Sequence, residues 1–349
     1  MYNEIFIKDL SALGRVISEH LNGIDHNHLL DRAIEKSESE NPLFTRYMQA
    51  EALRAIVANF LKEDLLKEWL AVYERDSDIC EEEIRRVGII MAGNIPLAGF
   101  HDLISVLAAG GRAEVKPSSK DRYLIVALME ILMNINSFWR DKVFFVDKPD
   151  VGVDMVIASG RSETMERVKN GFMGTPALLR GSRFSIAVIN GDEDEKTLAK
   201  LGRDIFLYFG LGCRSVSTLL VPEGYDLTGI VKSLSCCSGI TDIADYRAAY
   251  RYAKAQMLME KNWFVDGGFY IFKAAEQLPP PLAVVGIWFY GDSADIERFI
   301  ELHEDRLQCV VNYRSHRRGE EGVRPGEAQQ PSLNEYADGV DTVKWLLGA

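Results

Sequence analysis

Between Val87 and Ala158, short apolar runs alternate with helix-like segments, and this alternation constrains the fold more than any other feature. Val87-Gly-Ile-Ile-Met-Ala92 is almost continuously apolar and stops at Gly93. A helix-like stretch follows, from Phe100 to Ala109. Gly110-Gly111 then introduces a second run, Arg112-Ala-Glu-Val-Lys116. Residues 121–136 are helical in pattern and strongly apolar, with Ser118, Ser119 and Asp121 as candidate caps. Val143-Phe-Phe-Val146 and Val153-Asp-Met-Val-Ile-Ala158 read as further strands. A strand covered on both faces has no polar side to show, so it reads as an apolar run. Such strands alternating with helices predict a parallel, doubly wound sheet and an α/β fold.

The flanks are less regular. Residues 1–80 look helical, with Leu53, Ile56, Val57, Phe60, Leu61 and Leu65 at helical spacing. A break is expected over 171–183, and a strand at Phe184–Ile189. Leu198, Leu201, Ile205, Phe206 and Phe209 form the apolar stripe of an amphipathic helix. Pro279-Pro280-Pro281 marks a loop before an apolar strand at Ala283–Tyr290. Residues 314–330, rich in Gly, Arg and Glu, read as a flexible loop, and 336–347 as ordered again.

With 349 residues, 47% of them hydrophobic, the chain can bury one large or two medium cores. A net charge of −12 argues against nucleic acid as the main partner. It leaves room for an anionic ligand in a local basic pocket. Five cysteines (Cys80, Cys213, Cys236, Cys237, Cys309) are odd in number and irregular in spacing, which points to a reducing, cytoplasmic setting. No Cys/His set has zinc-ligand spacing, so no metal is expected. The start does not read as a signal peptide, and no apolar run is long enough to span a membrane.

Three places carry chemistry. Cys213 follows the helix-like stripe and a Gly210-Leu-Gly212 turn, and precedes a strand-like run from Ser215 to Val221. A cysteine on such a loop can be a nucleophile, because its thiol can be approached closely; a core cysteine is the alternative. Asn94 sits where the first strand ends, the usual place for ligands in a parallel sheet, and its amide can donate to an oxyanion. Lys116 ends the second strand with Ser118 and Ser119 after it, a set that can meet a ribose or a phosphate. A solvated strand-end charge is the other reading of Lys116.

Together these residues resemble a known superfamily. Gly-Asn-x-Pro, a helix, Ala-Gly-Gly and then Lys-Pro-Ser is similar to the cofactor-domain signature of aldehyde dehydrogenases. The resemblance is closer to LuxC-type long-chain acyl-CoA reductases. It is carried by Gly93-Asn-Ile-Pro-Leu-Ala-Gly-Phe-His-Asp102, Lys116-Pro-Ser-Ser-Lys-Asp121, Gly210-Leu-Gly-Cys-Arg214 and Tyr336-Ala-Asp-Gly-Val-Asp341. It implies Cys213 as nucleophile, Asn94 as oxyanion donor, and Lys116, Ser118, Ser119, Ser159 and Gly160 at the cofactor. Ser159-Gly160-Arg161-Ser162 resembles the superfamily's Thr-Gly-Ser turn, whose amides face a pyrophosphate; a plain strand-to-helix turn fits it equally.

Two departures refine that expectation. Hydrolytic members carry a water-activating glutamate in Glu-Leu-Gly-Gly, whereas Ala177-Leu-Leu-Arg-Gly-Ser-Arg183 has no carboxylate. This favours a CoA-linked reductase. NAD-preferring members often place Glu after Lys-Pro-Ser, where Ser119 and Lys120 stand here. The change admits a 2′-phosphate, so NADPH is the expected cofactor and NADH the alternative, with Asp121 close enough to blunt the preference.

The expected architecture is aldehyde-dehydrogenase-like. A helical segment over 1–80 packs on a Rossmann-like NAD(P)-binding domain over 81–180. An α/β catalytic domain spans 181–318, and a segment over 319–349 returns to the cofactor domain or to an oligomer interface. The site is expected in the cleft between the two domains. The expected reaction reduces a long-chain acyl-CoA, or another acyl thioester, to an aldehyde through a cysteine-bound acyl-enzyme. Rival readings are another NAD(P)-dependent aldehyde dehydrogenase, an acyl-phosphate reductase, or an acyl-carrying subunit. The resemblance also implies an acyl-activating synthetase or acyl-carrier partner, and a homo-oligomer. His101 is read as structural or site-facing, Arg214 as a thiol-activating or phosphate-binding cation or a structural one, and Arg180 and Arg183 as CoA-binding or surface charges.

Overall fold

In chain order the first part of the protein forms α1 (Tyr2–Leu21), α2 (His28–Glu40), α3 (Arg46–Asn59), α4 (Glu63–Ala71), β1 (Arg86–Ile90) and α5 (Phe100–Ala108). It continues with β2 (Arg112–Lys116), α6 (Tyr123–Ile135), β3 (Val143–Phe145), β4 (Met155–Ser159), α7 (Ser162–Gly171) and β5 (Ala177–Arg180). The second part comprises β6 (Phe184–Val188), α8 (Glu195–Phe206), β7 (Val216–Pro222), α9 (Thr228–Leu234), α10 (Ala244–Glu260) and β8 (Phe264–Asp266). It ends with β9 (Ile271–Ala274), β10 (Val284–Tyr290), α11 (Ser293–Leu302) and β11 (Leu307–Val311), before the terminal α12 (Thr342–Leu347). This is a computed structural model, and it describes residues 2–73, 85–313 and 322–348. Cys80 and residues 314–321 of the expected flexible loop lie outside these. Two compact units result: Met1–Gly181 with Pro331–Ala349, and Ser182–Gln330.

The first unit is built on a five-stranded sheet of order β3-β2-β1-β4-β5, parallel throughout. Its core joins sheet and helices. Phe6, Leu10, Leu13 and Ile17 line one face of α1 and bury against α3, α4, α5 and α6. Leu333, Tyr336, Val343 and Leu346 from the C-terminal segment enter the same core. A buried carboxylate at Asp9 is satisfied by Trp139 Nε1 at 2.9 Å and Asn136 Nδ2 at 2.8 Å. The four helices of the N-terminal segment therefore belong to the sheet's core.

The second unit holds six strands in the order β11-β6-β7-β10-β9-β8, parallel except for β8 against β9. Asp194 caps α8, its side chain accepting from Thr197 N at 2.7 Å. Asp292 and Asp295 form a capping box on α11.

Three sequence expectations are corrected. The break over 171–183 contains β5, a four-residue edge strand whose partly exposed residues leave no alternation to read. Ser118, Ser119 and Asp121 do not cap α6: Arg122 holds the cap position, with no side-chain bond. The described part of the expected flexible loop, 322–330, is anchored, with Ala328 and Gln329 buried and hydrogen-bonded.

Candidate active site

The strands of the first sheet end level with one another. Ile90 pairs with Lys116 on one side and Ala158 on the other, and Ser159 pairs with Arg180. Strand order reverses direction at β1/β4, and ligands of open parallel sheets bind outside the strand ends at that point. Asn94 lies there, exposed, on the loop from β1 to α5. Two contacts fix this loop to the one after β2. A Cβ on Gly93 would lie 2.2 Å from Ser118 Oγ, so only glycine lets the loops approach. Leu97 is held at φ +60° by its N–H, which donates to Asp121 Oδ2 at 2.6 Å.

Lys116 is half-buried at the end of β2, and Ser119 is exposed beside it. Ser118 is turned inward: its hydroxyl accepts from Lys120 N at 3.3 Å and abuts Gly93. Asp121 is also turned into the protein. It is 4% exposed, and its Oδ1 has no hydrogen-bond partner. Burial pushes its carboxyl up to about 7, against the pull of the Leu97 amide. The folded protein therefore holds this proton where the unfolded chain has released it. Stability from this group is complete below about pH 4 and is lost as pH rises through about 7, a difference on the order of 4 kcal/mol. Urea midpoints are expected to fall between about pH 5 and pH 8, and Asp121→Asn to remove most of the fall. Buried Asp204, raised to about 6, keeps a residual slope of the same sign. Equal slopes in the two proteins would count against this assignment.

At the end of β4, the Gly160 N–H donates to Arg180 O at 3.1 Å, so it continues the sheet ladder. Ser159 is half-buried, and α7 opens just beyond it. Arg180 is 5% exposed and does not present a surface charge. It pairs with Asp102 at 2.9 Å and donates to Ala337 O and Thr342 Oγ1, which fastens the C-terminal segment. His101 is structural: its Nε2 lies 3.0 Å from Leu333 O, among the rings of Phe60, Trp69 and Tyr336. Burial drives its pKa down. Arg183 donates to Leu307 O at 2.9 Å.

The second unit presents Cys213 on a tight turn. Helix α8 stops at Phe206, and Tyr208, Phe209 and Gly210 follow with φ of 56°, 58° and 71°. Left-handed backbone costs a non-glycine residue on the order of 1–2 kcal/mol. Burial of both rings, with Phe209 against Tyr246 at 5.8 Å, offsets it. The chain then turns over Gly212–Ser215. Ser215 N donates to Gly212 O at 3.0 Å, and Gly212 N to Ser215 Oγ at 3.2 Å. Cys213 and Arg214 occupy the corners, both half-buried. The Cys213 carbonyl accepts from buried Ser185 Oγ at 2.8 Å, and that hydroxyl also receives the Cys309 N–H at 3.2 Å. Arg214 Nε donates to Ala328 O, so part of its guanidinium secures backbone. Ser185 and Ala328 give no sequence signal, because their roles depend on distant segments brought alongside.

Two other groupings have plain accounts. Cys236 and Cys237 place their sulfurs 3.8 Å apart, and burial, with its neighbour, pushes Cys237 up to about 12. His20, His26 and Asp31 bring possible ligand atoms within 4.8 Å of one another. His20 Nδ1 accepts the Asn27 N–H at 3.3 Å, so Nε2 carries the proton of the neutral ring and faces Asp31. That reads as a turn-stabilising cluster. Among the described residues no helix is long and apolar enough to cross a membrane.

Solved structures similar to this one in fold include aldehyde dehydrogenases. A Bacillus cereus mutant aligns with TM-score 0.63 at 15% identity, over 89% of this chain and 71% of that one. A putative aldehyde dehydrogenase from Burkholderia cenocepacia aligns at 0.62 and 14%, over 85% and 71%. Aldehyde dehydrogenase C of Pseudomonas syringae, a mutant solved with NAD+ and octanal, aligns at 0.60 and 12%, over 90% and 78%. At these identities the likeness establishes the fold. No curated protein sequence matches the chain. The family model for acyl-CoA reductase (LuxC) matches residues 18–235, more than half of the chain, which belongs to that family. It is an oxidoreductase of the acyl and aldehyde class.

Proposed function

We propose that the protein reduces an acyl-CoA thioester to the aldehyde with NADPH, through an acyl group carried on Cys213. The carrying observation is the Gly212–Ser215 turn, which holds a half-buried cysteine at its corner. In this reading the Cys213 sulfur attacks the thioester carbonyl carbon. The Cys213 N–H and the Asn94 side-chain amide stabilise the oxyanion, each donor worth roughly 3 kcal/mol. The bond between the acyl carbon and the CoA sulfur breaks, CoA leaves as its thiolate, and the acyl group stays on Cys213. When bound, the nicotinamide cofactor supplies the hydride for the acyl carbon. The Cys213 carbon–sulfur bond then breaks, releasing aldehyde and regenerating the thiolate.

The donor set at the strand ends fits a dinucleotide. Lys116 and exposed Ser119 suit a ribose, Lys120 a 2′-phosphate, and the first turn of α7 after Ser159-Gly160 a pyrophosphate. With Asp121 occupied by Leu97 and buried, no carboxylate of that loop opposes the phosphate. Residues 177–180, where a hydrolytic relative would carry its water-activating glutamate, form β5 and carry none. The octanal in the Pseudomonas syringae structure supports an aliphatic acyl group. Substrate class, cofactor choice and residue roles are parts of this one reading.

The test is a panel of acyl-CoAs with NADPH or NADH, following absorbance and trapped aldehyde. Aldehyde with NADPH preferred supports the reading. Acylation of Cys213 without nucleotide oxidation would replace it with an acyl-carrying role. Asn94→Ala is expected to lower kcat by about a hundredfold or more, with nucleotide Kd little changed. A kcat within about threefold of wild type would remove Asn94 from the oxyanion site.

A further inference from the structure

The α8 helix axis does not by itself fix where Cys213 points, because three left-handed residues intervene between Phe206 and the turn. The turn is fixed from its other side. Asp204, in the last turn of α8 and fully buried, accepts from Gly326 N at 2.6 Å through Oδ2 and from Ala328 N at 2.9 Å through Oδ1. The strap so held reaches back to the turn at two points. Ala328 O accepts from Arg214 Nε, and Gln329 Nε2 donates to Ser215 Oγ at 3.0 Å. That same hydroxyl accepts the Gly212 N–H. Gly212, Arg214 and Ser215 thus all trace to one carboxylate, and Cys213 is the residue they bracket.

We propose that Asp204 is a positioning residue for the Cys213 thiol, acting through the Gly326–Gln329 strap; this rests on Cys213 being the nucleophile. The geometry calls for a carboxylate. Two convergent N–H groups need two acceptors, whereas an asparagine offers one acceptor and turns an N–H₂ against the second donor. A displaced strap releases Arg214 and Ser215 together and shifts the turn that carries the thiol, changing its exposure and its distance from the Arg214 guanidinium.

The test uses the full chain, and its deciding readout, alkylation, needs no assumed substrate. Wild type and Asp204→Asn are alkylated with iodoacetamide, and the rate is read at the Cys213 peptide by mass spectrometry. Exposed Cys236 serves as the internal reference. Asp204→Asn is expected to slow Cys213 at least about threefold relative to Cys236, and to lower kcat without moving the nucleotide KM. A smaller slowing, or a faster reaction, overturns the proposal. If Asp204→Asn shows no cooperative melt, Gln329→Leu, which cuts only the link to Ser215, is judged by the same threshold. Wild type that alkylates but makes no aldehyde defeats the reductase reading and leaves this test intact. An unslowed variant beside an active wild type does the reverse.

Discussion

Cys213→Ala is expected to lose aldehyde formation by about ten thousandfold or more, because in the proposed scheme no other group then carries the acyl chain. The substitution is structurally mild. Ser185 Oγ bonds the backbone carbonyl of residue 213, and the turn closes through Gly212 and Ser215, so none of these bonds uses the thiol. Only a half-buried sulfur is removed, costing roughly 1 kcal/mol or less. Nucleotide binding should be unchanged, since its proposed residues lie on the first sheet. The measurements are aldehyde yield, nucleotide Kd and intact mass after incubation with acyl-CoA. Aldehyde formation at anything near the wild-type rate would sink the covalent scheme. Loss of nucleotide binding alongside activity would show that the variant had disturbed more than the nucleophile.

The second large effect falls on stability. Arg180→Ala is expected to destabilise the first unit by about 3–5 kcal/mol. The guanidinium is 5% exposed and satisfies Asp102, Ala337 O and Thr342 Oγ1, with Asp338 3.9 Å away. Its removal leaves the Asp102 carboxylate, 7% exposed, uncompensated. It also unpins Ala337–Thr342, where Tyr336 accepts from Trp69 Nε1 at 2.6 Å and the Tyr73 hydroxyl bonds Asp341 at 2.9 Å. Faster amide exchange should therefore appear first over 336–347. Adding Asp102→Asn should recover part of the loss, because it removes the stranded charge. Arg180→Lys should recover less than full stability, since one ammonium does not reproduce the planar fork. Urea denaturation that shows a loss below about 1 kcal/mol would mean that water replaces the guanidinium.

Much of the first sheet was legible because burial on both faces writes itself into composition. Val87, Ile89, Ala113, Val115, Val156 and Ile157 are all 1% exposed or less, and each lies in a run read as a strand. The same logic fails at β5, whose first three residues are partly exposed. The helix ending near Cys213 was legible too, yet Phe209, counted in its stripe, lies beyond its end in left-handed backbone. Its apolarity reports burial, and periodicity alone does not separate a buried helix turn from a buried bend.

At the site, the groups present are legible from the residues alone: a cysteine after Gly-x-Gly, an asparagine after a strand, a lysine before Pro-Ser, and no carboxylate over 177–183. What each is committed to follows from contacts made across the fold. Asp121 looked like a cap and binds Leu97 N, a residue 24 positions earlier. Arg180 reads in sequence as a CoA-binding or a surface cation, and it is the buried clasp of the C-terminal segment. Residues 322–330 looked unstructured by composition and are fastened by Asp204, 122 positions upstream of Gly326. Local sequence encodes propensity and burial pattern. A buried polar group takes whatever partner the fold brings within about 3 Å, because leaving it unpaired costs on the order of 1–3 kcal/mol, and that partner is a long-range fact.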